Sequence, residues 1–340
     1  MRVPNPFAFV PMAVTLITVA VYVAIIVPLL VIHETVPSAP TPPTLYRGLN
    51  LTEAWLDLSE LSSAYHPFNS RRNDDVRDWL LGRIEGILGD NGVKYTAEGL
   101  TIAYPQSDAQ FSDQEPEPEP VNEIEFFPQE NHEELRARLE SPAATIFNDL
   151  VANYTSTALT NIGVSGRRAG ISTYFEGNNI IVYIRGTEDE HGEWWTPNPY
   201  TPHRNGKGGV MVNAHFDSVS TGYGATDDGV GVITALQLIK YFTTPGNTPK
   251  KGVVALFNNG EEDGLYGAKA FLSHPMASFV HTFLNLEGAG AGGRATLFRS
   301  TDTEVTRAYA KAKHPFGSID RKSTRLNSSH SDLSRMPSSA

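Results

Sequence analysis

From Phe7 to Ile32 the chain carries no charged residue, and its apolar positions are contiguous rather than periodic. At 1.5 Å rise per residue a helix over this run spans roughly 39 Å, against a bilayer hydrocarbon thickness of about 30 Å. The pattern therefore predicts one tilted transmembrane helix over residues 7–32. Pro11 and Pro28 fall towards its ends, where a missing N–H is tolerable. A cleaved secretory signal has a shorter apolar core, so the length favours a retained anchor. Arg2 precedes the span, whereas Glu34 and then no basic residue until Arg47 follow it. That bias directs residues 1–6 to the cytosol and the bulk of the chain to a lumen or the exterior.

Beyond the span, residues 33–48 contain Pro37, Pro40, Pro42 and Pro43 and read as a stiff, extended linker. A folded region is expected from Leu49. Val76, Leu80, Ile84 and Leu88 repeat every four residues after Asp74 and Asp75, which marks an amphipathic helix stopped by Gly89 and Asn91-Gly92. Leu135, Leu139, Ile146 and Leu150 suggest a second helix over about 130–154, covering one face of a sheet. Between the two, residues 112–125 (SDQEPEPEPVNEIE) are acidic and proline-rich, and predict an exposed insertion.

Short β-branched runs at Ile180–Ile184, Val210–Ala214, Val253–Phe257 and Thr282–Leu286 read as buried strands. Helical spacing recurs in between, at Gly229–Phe242 and Leu265–Leu272. The alternation predicts an α/β fold with a mostly parallel (mixed) central sheet flanked by helices. Ligands of such sheets bind beyond the carboxyl ends of the strands.

Composition narrows the chemistry. With 27 Lys+Arg against 38 Asp+Glu the net charge is −11, which disfavours a nucleic-acid partner. There is no cysteine, so thiolate metal sites, disulfides and cysteine nucleophiles are excluded and any metal must use His, Asp or Glu. The triplets at Asn50 and Asn153 are glycosylation acceptors compatible with a lumenal domain.

Three consecutive strand ends carry such groups. The second strand runs into His215-Phe216-Asp217-Ser218, followed by Gly224-Ala225-Thr226-Asp227-Asp228-Gly229. The third ends in Asn258-Asn259-Gly260-Glu261-Glu262-Asp263-Gly264, and the fourth in Asn285-Leu286-Glu287-Gly288. Carboxylates crowded at one edge raise one another's pKa unless cations neutralise them, and a divalent metal is the simplest remedy.

These four segments, in this order, resemble the M28 family of zinc aminopeptidases over roughly residues 49–318. The resemblance implies a zinc-exopeptidase-like fold and two zinc ions per complete chain. It makes His215 a ligand of one ion, Asp227 the bridging carboxylate, Glu262 a ligand of the other ion, and Glu287 the partner of His215. Glu261 corresponds to the general base and Asp217 to the acid that orients His215. The implied reaction is hydrolysis of peptide bonds, with peptides as substrates and the membrane as the partner of residues 7–32. Anchored family members further imply a vacuolar membrane location with a lumenal peptidase domain.

One departure stands out. The family completes its second zinc site with a distant histidine, and neither His314 nor His330 fits that place. The serine-rich tail 319–340 has no apolar periodicity and reads as disordered, in place of a longer C-terminal part. A fragment of this kind is expected to bind metal weakly and turn over little. Two other readings share the fold: a single-zinc transferase like glutaminyl cyclase, and a non-catalytic ectodomain like that of the transferrin receptor.

Overall fold

The computed structural model describes residues 11–38, 49–99, 141–149, 154–162, 167–195, 208–288 and 294–317. The chain divides into two units, Met1–Pro42 with Ala291–Ala340, and Pro43–Gly290. The expected insertion at 112–125, the tail at 319–340 and residues 130–140 of the expected second helix lie outside the described residues.

In the first unit, helix α1 spans Pro11–Glu34 and none of its residues is buried. Among the described residues it is the one helix long and apolar enough to cross a membrane. Pro11 opens it, where the absent N–H costs nothing. Pro28 lies inside the helix rather than at its edge, and α1 continues for six residues beyond it. Apolar environments tolerate such an interruption when neighbouring groups satisfy the freed carbonyl.

The second unit is built on a six-stranded sheet. Its strands are β1 (Tyr95–Gly99), β2 (Ala144–Asp149), β5 (Asn179–Ile184), β6 (Gly209–His215), β7 (Val253–Asn258) and β8 (Val280–Asn285), in the order β1-β2-β5-β7-β6-β8. Only β5 runs against its neighbours, while β1/β2, β6/β7 and β6/β8 pair in parallel. The sheet is therefore mixed and mostly parallel. Strands β3 (Tyr154–Ile162) and β4 (Arg167–Phe175) form a separate antiparallel pair.

The helix expected over 130–154 is corrected by the structure, because Ala144–Asp149 is strand β2 and Tyr154 opens β3. Pro142 cannot continue a helix from the preceding turn, and Thr145, Ile146 and Phe147 favour extended backbone. Ile146 consequently sits in the sheet, 2% exposed, rather than on a covering helix.

One face of the sheet is covered by α2 (Leu51–Leu61), α3 (Arg71–Asp90) and α4 (Val230–Thr243). Val76, Leu80, Ile84 and Leu88 of α3, with Val232, Leu236 and Ile239 of α4, pack on Ile146, Val182, Val212, Ala255 and Phe257. Each fully buried aliphatic side chain of this kind contributes about 1.5–3 kcal/mol of transfer free energy. The opposite face carries Tyr183, whose ring meets Trp195 and Phe279 edge-on. Short helices α5 (Tyr266–Phe271) and α6 (Pro275–Phe279) lead into β8. The first unit also contains α7 (Thr303–Tyr309).

This topology aligns three carboxyl ends. His215 of β6 pairs with Asn258 of β7, and Asn213 of β6 pairs with Asn285 of β8. The loops after β6, β7 and β8 thus start side by side at one edge of the sheet.

Candidate metal centre

His215 is the last residue of β6 and its side chain is 2% exposed. Its Nδ1 lies 3.0 Å from the Asp217 carbonyl oxygen. A carbonyl can only accept, so Nδ1 carries a proton, and Nε2 is the nitrogen turned to the site. Nε2 faces three carboxylates, at 3.1 Å from Asp227 Oδ1, 3.5 Å from Glu287 Oε1 and 3.9 Å from Glu261 Oε2. Burial opposes charge on the ring, but the carboxylates of Asp217, Asp227 and Glu287 hold its pKa well above the ordinary value.

The resemblance gives Asp217 the task of accepting the imidazole N–H through its carboxylate. In the structure the carbonyl of Asp217 makes the hydrogen bond, and Oδ1 is 3.4 Å from Nδ1. The carboxylate also reaches the loop after β7, where Oδ1 accepts the Glu261 N–H at 3.1 Å and Oδ2 accepts the Glu262 N–H at 3.2 Å. Asp217 therefore joins the loop after β6 to the loop after β7.

Asp227 stands on a single widened turn, Ala225–Gly229, that enters α4, and the Asp227–Asp228 peptide bond is cis. The two neighbouring carboxylates part company. Asp227 is at the opening of the site, with its side chain 40% exposed, whereas Asp228 is buried and accepts the His215 N–H through Oδ2 at 3.2 Å. Burial pushes the Asp228 carboxyl up to about 8, reinforced by Glu287 and Asp227 against the pull of His215. Glu287 follows the end of β8, and Gly288 lets its loop lie on the Asp227 turn. A Cβ at Gly288 would stand 1.7 Å from the Thr226 carbonyl oxygen.

Burial likewise raises the Glu261 carboxyl to about 7, opposed by His215 and assisted by Glu287, Asp217 and Glu262. The Glu262 carboxyl is raised too, by burial first and then by Asp227. These shifts record burial first and, after it, crowded negative charge with one imidazole to balance it. Two sets of donors result, His215 with Asp227 and Glu287, and His215 with Glu261 and Glu262; within each set the donor atoms lie within 4.8 Å of one another. Imidazole nitrogen with carboxylate oxygen is a donor set that fits zinc.

Two residues at the back of the site escape a reading by motif. His66 is 1% exposed; its N–H donates to Ser218 Oγ at 3.0 Å and its carbonyl accepts the Ser218 N–H at 3.2 Å. Its ring abuts Gly224, which has φ 63°, and a Cβ there would lie 3.0 Å from His66 Nε2. Asn73, on the first turn of α3, is fully buried beside it.

Residues 199–336, which include every donor described above, match the model of peptidase family M28. The vacuolar membrane protease of Botryotinia fuckeliana is 69% identical over 325 residues, covering 94% of this chain and 31% of that protein. The vacuolar membrane protease of Sclerotinia sclerotiorum is 68% identical over 327 residues, covering 94% of this chain and 30% of that protein. The chain thus spans about a third of the length of the curated relatives it matches. Among solved structures, the LapA aminopeptidase of Legionella pneumophila matches with a TM-score of 0.42 and 12% identity, over 82% of this chain and 56% of that chain.

Proposed function

We propose that the M28 domain is the peptide-hydrolysing part of a membrane-anchored zinc metallopeptidase, an aminopeptidase holding two zinc ions, with α1 as its anchor in the vacuolar membrane and the domain in the lumen. The observation that carries the reading is the convergence of Asp227, Glu261 and Glu287, from three separate loops, on the single Nε2 of His215. The 69% identity to a protein named vacuolar membrane protease supports the membrane and the compartment.

In this reading His215, Asp227 and Glu287 would hold one ion, and Glu262, with Asp227 beside it, would hold the second. Zinc bound there supplies a Lewis acid that makes water acidic near neutrality and polarises the scissile carbonyl. Glu261, with its side chain 12% exposed at the floor of the site, takes a proton from the attacking water and returns it to the departing amine. Asp217 holds the backbone of Glu261 and Glu262 so that one carboxylate serves as ligand and its neighbour as base. Asp228 fixes the His215 backbone from behind.

The test is elemental analysis and turnover of the protein that carries this chain. Two zinc ions per chain, with chelator-sensitive release of the amino-terminal residue from unblocked peptides and none from amino-blocked ones, are expected. One zinc with cyclisation of amino-terminal glutamine would establish the transferase reading instead, and a metal-free, inactive protein would reject both.

A further inference from the structure

Asn73 stands three residues after Ser70, whose side chain caps α3 by accepting the Asn73 N–H at 3.1 Å. At this position of a helix a long polar side chain commonly folds back onto the cap. The Asn73 amide does not. Its Nδ2 donates to the His66 carbonyl at 3.1 Å and to Asn259 Oδ1 at 3.2 Å, and its Oδ1 accepts from Asn259 Nδ2 at 2.7 Å. Both asparagines are fully buried.

Each partner leads to one arm of the site. Asn259 Oδ1 also accepts the Gly260 N–H at 3.1 Å, immediately before Glu261 and Glu262. The Asn259 backbone is held on its other side, where its N–H donates to Asn179 Oδ1 at 3.2 Å and its carbonyl accepts the Gly267 N–H at 2.9 Å. The His66 carbonyl, shared by Asn73 and the Ser218 N–H, leads to the residue after Asp217. One side chain on α3 thus spans the loop after β6 and the loop after β7.

We infer that Asn73 is a positioning residue of the metal centre, fixing the Glu261–Glu262 turn relative to His215 and Asp217 from a helix that lies outside the M28-matched stretch 199–336. This rests on reading the site as a zinc centre. Alternative amide rotamers at Asn73 or Asn259 leave one buried donor or acceptor unmet, so the pair tolerates a single arrangement.

The experiment titrates the protein that carries this chain, in detergent, with Zn²⁺ by calorimetry and with Co²⁺ by visible absorption, alongside thermal melting. Asn73→Ala is expected to weaken zinc binding roughly 10- to 100-fold, as loss of groups behind metal ligands does, and to alter the cobalt spectrum. Asn73→Asp, which keeps size and one acceptor but cannot donate, is expected to do the same if the alanine variant does not fold. Asn91→Ala serves as comparison, since Asn91 caps the other end of α3 and donates to the Lys240 carbonyl and Thr243 Oγ1. It should lower the melting temperature without moving affinity or spectrum. Unchanged affinity and spectrum in folded Asn73 variants, an equal loss in Asn91→Ala, or failure of both Asn73 variants to fold would each overturn the inference. Failure of the unaltered, folded protein that carries this chain to take up zinc would instead remove the zinc-centre reading beneath it.

Discussion

The Asp217 carboxylate accepts the backbone N–H of Glu261 at 3.1 Å, and its second oxygen accepts that of Glu262 at 3.2 Å. A residue at the start of the loop after β6 therefore sets the direction of the next two carboxylates, at full burial. Asp217→Asn puts an amide donor against a backbone donor. It is expected to cost about 1–3 kcal/mol of stability and roughly 10- to 100-fold in zinc affinity. Calorimetric zinc titration with parallel melting curves checks both.

Glu261→Gln removes the proton acceptor while keeping the shape of the side chain. In the protein that carries this chain, zinc content should persist and kcat should fall by roughly 100-fold or more, the usual share of a general base. Retained turnover at normal zinc content would assign the proton to another group.

Gly288→Ala places a methyl group 1.7 Å from the Thr226 carbonyl oxygen, a backbone atom that cannot swing aside. The Glu287 loop must lift off the Asp227 turn, and zinc affinity is expected to fall at least tenfold while the melting temperature of the metal-free chain changes little. Equal affinity in the variant and the parent would show that Glu287 is not held by this contact.

Glu53 of α2 ties two other helices, pairing with Arg83 of α3 and Lys240 of α4. Burial works against its carboxylate, but the hydrogen bonds from Lys240 and Arg83 outweigh this and set its pKa below 4.5. A depressed carboxyl pKa means stability that is present above the unfolded value and lost as pH falls through the folded one. Glu53→Gln should therefore cost about 1 kcal/mol at pH 7, and the difference from the parent should shrink as the pH drops below 4.5. Melting curves across that range check the sign.

The strands β6 and β7, the helices after them and the acidic strand ends were legible because continuous apolar runs alternate with glycine-flanked His, Asp and Glu. Strand β2 was not, because Leu135, Leu139, Ile146 and Leu150 happen to fall on helical spacing across a proline at position 142. The β3–β4 pair was missed because threonine, serine and arginine interrupt its apolar alternation, as in Arg167–Phe175. Within the site, His215 and the acidic residues announce themselves by type and company. His66 and Asn73 do not, since a lone histidine and an asparagine on the first turn of a helix have local explanations, and only the fold brings them to Ser218 and Asn259.

Because β6, β7 and β8 are hydrogen-bonded neighbours, their three loops depart about 4.8 Å apart, a spacing the backbone ladder sets whatever the loops contain. Side chains alternate between faces along a strand, so sliding β6 by one residue against its partners would deliver the His215 ring to the wrong side of the layer. The chelating geometry is in this sense inherited from strand registration: the loops supply the carboxylates, and the ladder sets where each loop begins.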